Sequence, residues 1–251
     1  LAAHRPRSSF TEMFRVIRTR LEFIVQRKNN IAILVTSTES GDGKTYFCTN
    51  LASVYGMSGA KTILVDMDIR KPSIQERLSM IEKQGITDYL IGEAPLEDLI
   101  LKKDNLNFDL LLGGTIPPNP GELIRSDKLK EMFIRLREMY DFIIVDTSPI
   151  GLVADAYSLA PIMDVNLFVV RSEKTNKSFF KKLNLQLKTD NVKNIYLIMN
   201  DINADKGTYY YRKNSNYGYG YGYGYGYGYT QSKKRKEHQK NTHYYDNDEE
   251  I

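Results

Sequence analysis

Short apolar runs alternate with longer helical segments over most of the chain. Strands are predicted where aliphatic and β-branched residues cluster, at residues 31–35, 61–65, 108–112, 142–145, 165–170 and 194–199. Helices are predicted at residues 10–27, 46–57, 126–140 and 176–189. Strands that alternate with helices of this length favour an α/β fold with a doubly wound, mostly parallel sheet.

A glycine-rich segment joins the first strand to the second helix. Gly41 and Gly43 let the backbone curl so that its N–H groups point at phosphate oxygens, and the following helix N-terminus adds positive charge. In this setting Lys44 is expected to neutralise the β- and γ-phosphates, and the Thr45 hydroxyl to bind Mg²⁺. Thr38 stands where the pattern G-x-x-x-x-G-K-[ST] has its first glycine. An ordinary glycine-containing turn is the alternative.

Aspartates follow two further predicted strands. Asp66 and Asp68 end the strand that begins near Lys61, and Asp146 ends the strand over residues 142–145. The carboxyl ends of parallel strands meet at the ligand crevice of such a sheet. A single aspartate here is commonly a helix cap. Two such strand ends beside a Gly-Lys-Thr loop instead favour a Mg²⁺ site built from carboxylate, hydroxyl and phosphate oxygens.

Composition and charge limit the other classes of function. With 35 basic and 31 acidic residues the net charge is +4, too small to indicate nucleic-acid binding, and 41% hydrophobic residues suffice for a core. Cys48 is the only cysteine, so an internal disulfide is impossible, and a buried apolar role is expected for it. No apolar run approaches the length of a spanning helix. The chain begins at Leu1, which is compatible with a segment cut from a longer membrane protein.

The first helix has a charged face. Ser9 and Glu12 have the spacing of a capping box, which predicts where the helix begins. Glu12, Arg15 and Arg18 follow at intervals of three residues on the side opposite the apolar positions. Such a row can be a solvated surface, or it can pair with acidic and basic groups of a neighbouring subunit.

The composition changes sharply after about residue 201. A strict Tyr-Gly alternation runs from Tyr217 to Tyr229, and a basic run at 233–236 and an acidic end at 246–250 follow. Glycine at every second position gives little to pack, so a mobile tail is predicted. It is a low-complexity segment without chemistry, a Tyr/Gly segment prone to self-association or, beside an ATP site, a substrate. The candidate acceptors are Tyr209, Tyr210, Tyr211, Tyr217, Tyr219, Tyr221, Tyr223, Tyr225, Tyr227, Tyr229, Tyr244 and Tyr245.

These motifs together resemble the bacterial tyrosine kinases of capsule and exopolysaccharide synthesis, the BY-kinases, over essentially the whole chain. The matching segments are residues 40–45 (Walker A), 63–72 (Walker A′), 144–149 (Walker B), 114–123, the Glu12-x-x-Arg15-x-x-Arg18 motif and the terminal tyrosines. The resemblance implies a P-loop NTPase fold. It implies an oligomerisation helix at 1–30, a kinase domain at 31–203 and a tyrosine-cluster tail at 204–251.

The resemblance also implies roles for the site residues. Lys44, Asp66, Asp68 and Asp146 are expected to be catalytic, with Mg²⁺ held by Thr45, Asp66 and Asp146. Asp66 is expected to accept the tyrosine proton, Asp68 to orient the phosphate or a metal-bound water, and Arg70 to contact the incoming tail. The expected ATP contacts are Ser40, Gly41, Asp42, Gly43, Lys44, Thr45, Tyr46 and, at the adenine, Asn200.

The same resemblance implies partners and a location. Glu12, Arg15 and Arg18 would join subunits in an octameric ring, and the tail would be phosphorylated in trans. A membrane chain-length regulator, upstream or as a separate activator, and a phosphotyrosine phosphatase are expected partners, at the cytoplasmic face of the bacterial membrane. Nucleic acid is not an expected partner.

Two alternatives remain open at this point. A MinD/ParA-type switch ATPase has the same fold, but its signature lysine, five residues before the Walker lysine, is here Glu39. A non-catalytic nucleotide-sensing scaffold would use the Tyr/Gly tail and the basic run at 233–236 to bind partners or RNA.

Overall fold

The computed structural model describes residues 1–26, 30–189 and 192–202. These residues form a seven-stranded sheet in the order β3-β4-β2-β5-β1-β6-β7. The strands are β1 (Ile31–Ser37), β2 (Thr62–Asp66), β3 (Ile100–Leu101), β4 (Asp109–Leu111), β5 (Phe142–Asp146), β6 (Val165–Arg171) and β7 (Ile195–Asn200). All neighbouring strands are parallel except β3 and β4, which are antiparallel. The predicted fold class is confirmed.

Nine α-helices lie within the described residues: α1 (Ser9–Ile24), α2 (Lys44–Gly56), α3 (Ile74–Arg77), α4 (Ile86–Ile91), α5 (Leu96–Leu99), α6 (Pro120–Ile124), α7 (Asp127–Met139), α8 (Asp155–Leu159) and α9 (Lys177–Thr189). Short 3₁₀ turns occupy Ala2–His4 and Ala160–Ile162. The four predicted helices correspond to α1, α2, α7 and α9. The five short helices were not predicted, because a single turn leaves too few residues for a periodic signal. None of the described helices is long and apolar enough to cross a membrane.

The helix that follows the phosphate loop is almost entirely buried. Leu51, Ala52 and Tyr55 of α2 have no exposed surface, and Cys48 is fully buried as predicted. One side of α2 meets the sheet, and the other is covered by α1 through an aromatic cluster. In that cluster the Phe14 and Phe47 ring centroids lie 5.4 Å apart. Because α1 covers it, α2 lacks the polar face of a surface helix.

The capping box predicted for α1 is wrong by one residue. Ser8 is the N-cap: its hydroxyl accepts the Thr11 backbone N–H at 3.2 Å and donates to the Arg5 carbonyl at 2.9 Å. Ser9 lies inside the helix and is exposed. Glu12 pairs with Arg15 instead of reaching back to the cap. The preceding turn places Ser8 at the N-cap position, which the Ser-x-x-Glu spacing of the sequence did not indicate.

Ser8→Ala is expected to lower the free energy of unfolding by about 1 kcal/mol, because it leaves a helix N–H without its acceptor. Ser9→Ala is the matched control and should change stability by less than about 0.5 kcal/mol. Urea unfolding of both variants checks this. Equal destabilisation by the two substitutions would contradict the assignment of Ser8 as the cap.

Candidate active site

The phosphate loop owes its shape to two glycines in the left-handed region. Gly41 has φ +88° and Gly43 has φ +98°, and Gly43 is the N-cap of α2. A Cβ at position 43 would lie 2.3 Å from Nδ2 of Asn200. That same amide group donates a hydrogen bond to the Asp42 carbonyl at 2.8 Å. Gly43 is therefore required both for its backbone angle and for the close approach of β7.

Strand register brings the polar strand ends together. In the central part of the sheet Asp146 of β5 lies beside Val35 of β1 on one side and beside Asp66 of β2 on the other. The phosphate loop begins just beyond Val35, so that Nζ of Lys44 lies 4.0 Å from Oδ1 of Asp146. The sequence prediction that these strand ends converge is confirmed by this geometry.

Asp146 has the environment of a metal ligand. It is fully buried, and neither carboxylate oxygen has a hydrogen-bond partner among the described residues. Burial raises the pKa of Asp146, while the Lys44 ammonium group acts in the opposite direction. A buried carboxylate that has an ammonium group 4.0 Å away but no hydrogen bond is costly unless a ligand supplies one. Among the described residues no cluster of three His, Cys, Asp or Glu side chains could hold a metal. A carboxylate and a hydroxyl are oxygen donors that fit Mg²⁺, which commonly combines one or two carboxylates with substrate phosphates.

The two aspartates after β2 have different surroundings. Asp66 has no exposed surface and accepts the backbone N–H groups of Asp68 and Ile74, each at 3.3 Å. Burial raises the pKa of Asp66 well above its usual value, and the nearby Asp146 carboxylate adds to the shift. In Asp68, Oδ1 accepts the Ser148 hydroxyl at 2.6 Å, and Oδ2 lies 3.7 Å from Nζ of Lys44.

An open cleft of about 590 Å³ lies over these groups. It is lined by Ser40, Gly41, Gly43, Lys44, Thr45, Tyr46, Asp68, Lys71, Ser73, Glu76 and Arg77. Most of the predicted nucleotide contacts thus border the cleft. Asp42 instead turns under the loop, where its carboxylate accepts the Thr38 hydroxyl at 2.8 Å. Asp66 is expected from the sequence to accept the tyrosine proton, but in this structure Asp68 is the Walker A′ carboxylate that lines the cleft.

Several residues of the site were missed by the sequence analysis. Ser148 orients Asp68, and the Ser73 hydroxyl lies 3.2 Å from that of Thr45. Lys71 and Arg77 form part of the cleft wall. For Ser148 and Lys71 the position soon after a strand end was an available signal, since ligands gather at that edge of the sheet. Ser73 and Arg77 lie further on, at the start and the end of α3. Serine, lysine and arginine are nevertheless too common after strands to be selected on that basis alone.

Comparison with known proteins agrees with this geometry. A family model described as an AAA domain matches residues 30–173. CapB of Staphylococcus aureus is 34% identical over 207 residues, 82% of this chain and 91% of CapB. The tyrosine-protein kinase YwqD of Bacillus subtilis is 34% identical over 210 residues, 84% of this chain and 89% of YwqD. The chain belongs to the bacterial tyrosine-kinase family.

Solved structures of bacterial tyrosine kinases share the fold. The kinase domain of Escherichia coli tyrosine kinase ETK is 28% identical, with a TM-score of 0.77 over 89% of this chain and 84% of that one. The chimerical protein CapA2B2 is 31% identical, with a TM-score of 0.75 over 80% and 88% of the two chains. MinD of Pyrococcus horikoshii, solved with Mg-ADP, has a TM-score of 0.55 at 28% identity, over 67% of this chain and 69% of MinD. The fold is P-loop NTPase-like, and the TM-scores with the two tyrosine-kinase structures are higher than the TM-score with MinD.

The family also contains longer proteins. AmsA of Erwinia amylovora is 33% identical over 69% of this chain, but the match covers only 24% of AmsA. This kinase unit therefore makes up nearly all of some relatives and about a quarter of another. The predicted acceptor tyrosines, Tyr209 to Tyr245, and the predicted boundary at residue 204 lie outside the described residues.

The sequence predicts intermolecular contacts for Arg70 and Arg18. In the structure both side chains have partners within the chain. Arg70 forms a bidentate ion pair with Asp155, at 2.6 and 2.9 Å. Arg18 donates to the Val54 carbonyl near the end of α2 at 2.9 Å. Glu12 and Arg15 form an exposed pair at 2.7 Å. Contact with a partner is thus a stronger expectation for Glu12 and Arg15 than for Arg18.

Asp146→Asn is expected to raise the unfolding temperature of the ligand-free protein, because it removes a buried charge beside Asp66. The same change should reduce the rise in unfolding temperature that Mg-ATP causes, because a ligand that binds more weakly stabilises the folded state less. Thermal unfolding with and without Mg-ATP checks both effects. The control is Asp127→Asn, an exposed aspartate on α7. A less stable ligand-free protein with an undiminished Mg-ATP shift would contradict the metal-site assignment.

Proposed function

We propose that this chain is an ATP-dependent protein-tyrosine kinase that phosphorylates the tyrosines of its own C-terminal segment. The observation that carries the proposal is that Lys44 lies within 4.0 Å of both Asp68 and Asp146 at an open cleft. The tyrosine oxygen forms a bond to the γ-phosphorus of ATP, the bond from that phosphorus to the bridging oxygen breaks, and ADP and a proton are released.

Phosphoryl transfer needs mainly positioning and charge neutralisation. Lys44, at the start of α2, faces the phosphates together with the backbone N–H groups of the loop. Thr45 and Asp146 would hold Mg²⁺, with Asp66 next to Asp146 in the sheet. The ion would neutralise charge on the transferring group. Asp68 lines the cleft with one oxygen fixed by Ser148, so we assign it to the incoming tyrosine hydroxyl. Asn200, beside the phosphate loop, is assigned to the adenine side.

The tail tyrosines are proposed to be phosphorylated in trans within a ring, with eight subunits as the expected number. Support comes from the exposed Glu12–Arg15 pair on α1 and from the aromatic contacts that hold α1 against α2. An interface on α1 would lie one helix away from the phosphate loop.

The cellular role we propose is regulation of capsule or exopolysaccharide polymerisation and export at the cytoplasmic face of the membrane. The partners would be a membrane chain-length regulator domain and a phosphotyrosine phosphatase that resets the tail. The existence of both short and long relatives supports a regulator that is either separate or joined to the kinase.

Lys44→Met is expected to lower tail phosphorylation by on the order of 10²–10³, because it removes a charge that stabilises the transition state. Lys61→Met, at an exposed lysine before β2, is the control and should retain normal activity. Mass spectrometry of phosphotyrosine after incubation with Mg-ATP measures both. Residual activity above about a tenth in the Lys44 variant would contradict the role assigned to this lysine.

The Lys44→Met protein also tests transfer between chains. Mixed with an active chain truncated at Asn203, it should be phosphorylated on its intact tail. Absence of phosphate on the inactive chain, while the full-length enzyme modifies itself, would mean that transfer occurs only within one chain.

The double substitution Glu12→Ala with Arg15→Ala is expected to convert the assembled ring to smaller species, because both exposed charges of the proposed interface are lost. The matched control is Asp127→Ala with Lys130→Ala, an exposed ion pair of the same spacing on α7. Light scattering at equal concentrations compares the two. An assembled wild-type protein whose mass the Glu12 and Arg15 changes leave unaltered would refute this interface.

A further inference from the structure

The cleft has a second wall that the proposed transfer mechanism leaves without a role. This wall is formed by Lys71, which follows the Walker A′ strand, and by Ser73, Glu76 and Arg77 at α3. Lys71 and Arg77 are exposed, and neither forms an ion pair with a described residue. By contrast, the guanidinium group of the nearby Arg70 is already paired with the Asp155 carboxylate. The wall therefore presents two cations and one carboxylate, that of Glu76, to whatever enters the cleft.

The guanidinium group of Arg77 is held in place by an aromatic ring. It lies 5.5 Å from the centroid of the Tyr46 ring, a cation–π distance, and Tyr46 in turn contacts Phe10 of α1 at 5.7 Å. This contact leaves the N–H groups of Arg77 available, since a guanidinium group stacked on a ring can still donate at its edge. An arginine oriented in this way suits a phosphate or carboxylate ligand.

The sheet order indicates which substrate meets this wall. Strand β2, from which Lys71 follows, and strand β7, which carries Asn200, lie on opposite sides of β1. The phosphate loop after β1 thus separates the Asn200 side from the α3 side. With the adenine assigned to Asn200, the wall at α3 borders the position of the acceptor tyrosine, beyond the γ-phosphate.

The spacing of the acceptor segment matches a cationic wall. Tyrosines occur at every second residue from Tyr217 to Tyr229. A peptide of this sequence that enters a cleft in extended form places neighbouring acceptors roughly 7 Å apart, at about 3.3 Å per residue. After one transfer, the neighbouring phosphotyrosine carries roughly −1.5 to −2 charges at neutral pH. When the next tyrosine hydroxyl enters the site, the phosphate of the neighbouring phosphotyrosine would lie at the same distance from it at each step along the repeat.

We infer that Lys71 and Arg77 form a phosphotyrosine-binding subsite that makes phosphorylation of the Tyr-Gly repeat self-accelerating. This inference rests on the proposed kinase function and adds to it a preference for acceptors that already carry a neighbouring phosphate. Charge-assisted hydrogen bonds from both cations hold the phosphorylated residue while the adjacent tyrosine faces Asp68. Glu76, on the same wall, repels the phosphate and offsets part of this attraction, so the wall keeps an excess of one positive charge.

The test compares three peptides with the sequence of residues 221–225, Tyr-Gly-Tyr-Gly-Tyr. One is unmodified, one is phosphorylated at its first tyrosine and one at its last. With the full-length enzyme and Mg-ATP, at least one phosphorylated peptide should show a kcat/KM about tenfold above that of the unmodified peptide, the effect of one charge-assisted hydrogen bond. In Lys71→Gln with Arg77→Gln this ratio should fall to about one.

The control variant is Lys61→Gln with Lys130→Gln, two exposed lysines outside the cleft lining, and it should keep the ratio. A ratio near one in the wild-type enzyme would overturn the inference while leaving the kinase function intact. A ratio that persists in the Lys71 and Arg77 variant, with a raised KM for ATP, would assign these cations to the nucleotide. If the full-length wild-type enzyme phosphorylates neither the peptides nor its own tail, the proposed function itself fails.

Discussion

Parallel pairing of β1, β5 and β2 is the constraint on which the rest of this protein depends. The register that places Asp146 beside both Val35 and Asp66 brings two carboxylates and the phosphate loop to one edge of the sheet. A shift by one residue would turn each strand's side chains to the opposite face. The buried apolar side chains of these strands therefore fix the position of the reactive groups, although none of them lies at the cleft.

That arrangement concentrates negative charge in a buried place. Asp66 and Asp146 have no exposed surface, and burial raises the pKa of both carboxyl groups. Two buried acids side by side oppose folding unless cations approach them, and only Lys44 does so among the described residues. The free-energy cost of these buried charges is offset by the surrounding apolar core, which supplies the favourable free energy of burial.

A chain of contacts also links the first helix to the acceptor side of the cleft. Phe10 of α1 lies against Tyr46, and the Tyr46 ring supports Arg77 on α3. The helix that carries Glu12 and Arg15 is therefore linked through Tyr46 of α2 to the wall assigned to the phosphorylated acceptor. Any partner bound at α1 would have a short physical connection to the cleft through one aromatic ring.

The sequence by itself determined the main strands, the longer helices and the polar strand ends, because periodicity and glycine turns are local properties. Strand order and the different surroundings of Asp66 and Asp68 came only from the tertiary structure. Ser148 reaches Asp68, and Asp155 pairs with Arg70, across separations of 80 and 85 residues. Such partners leave no periodic signal, so packing alone decided which carboxylate faces the cleft and which arginine remains available.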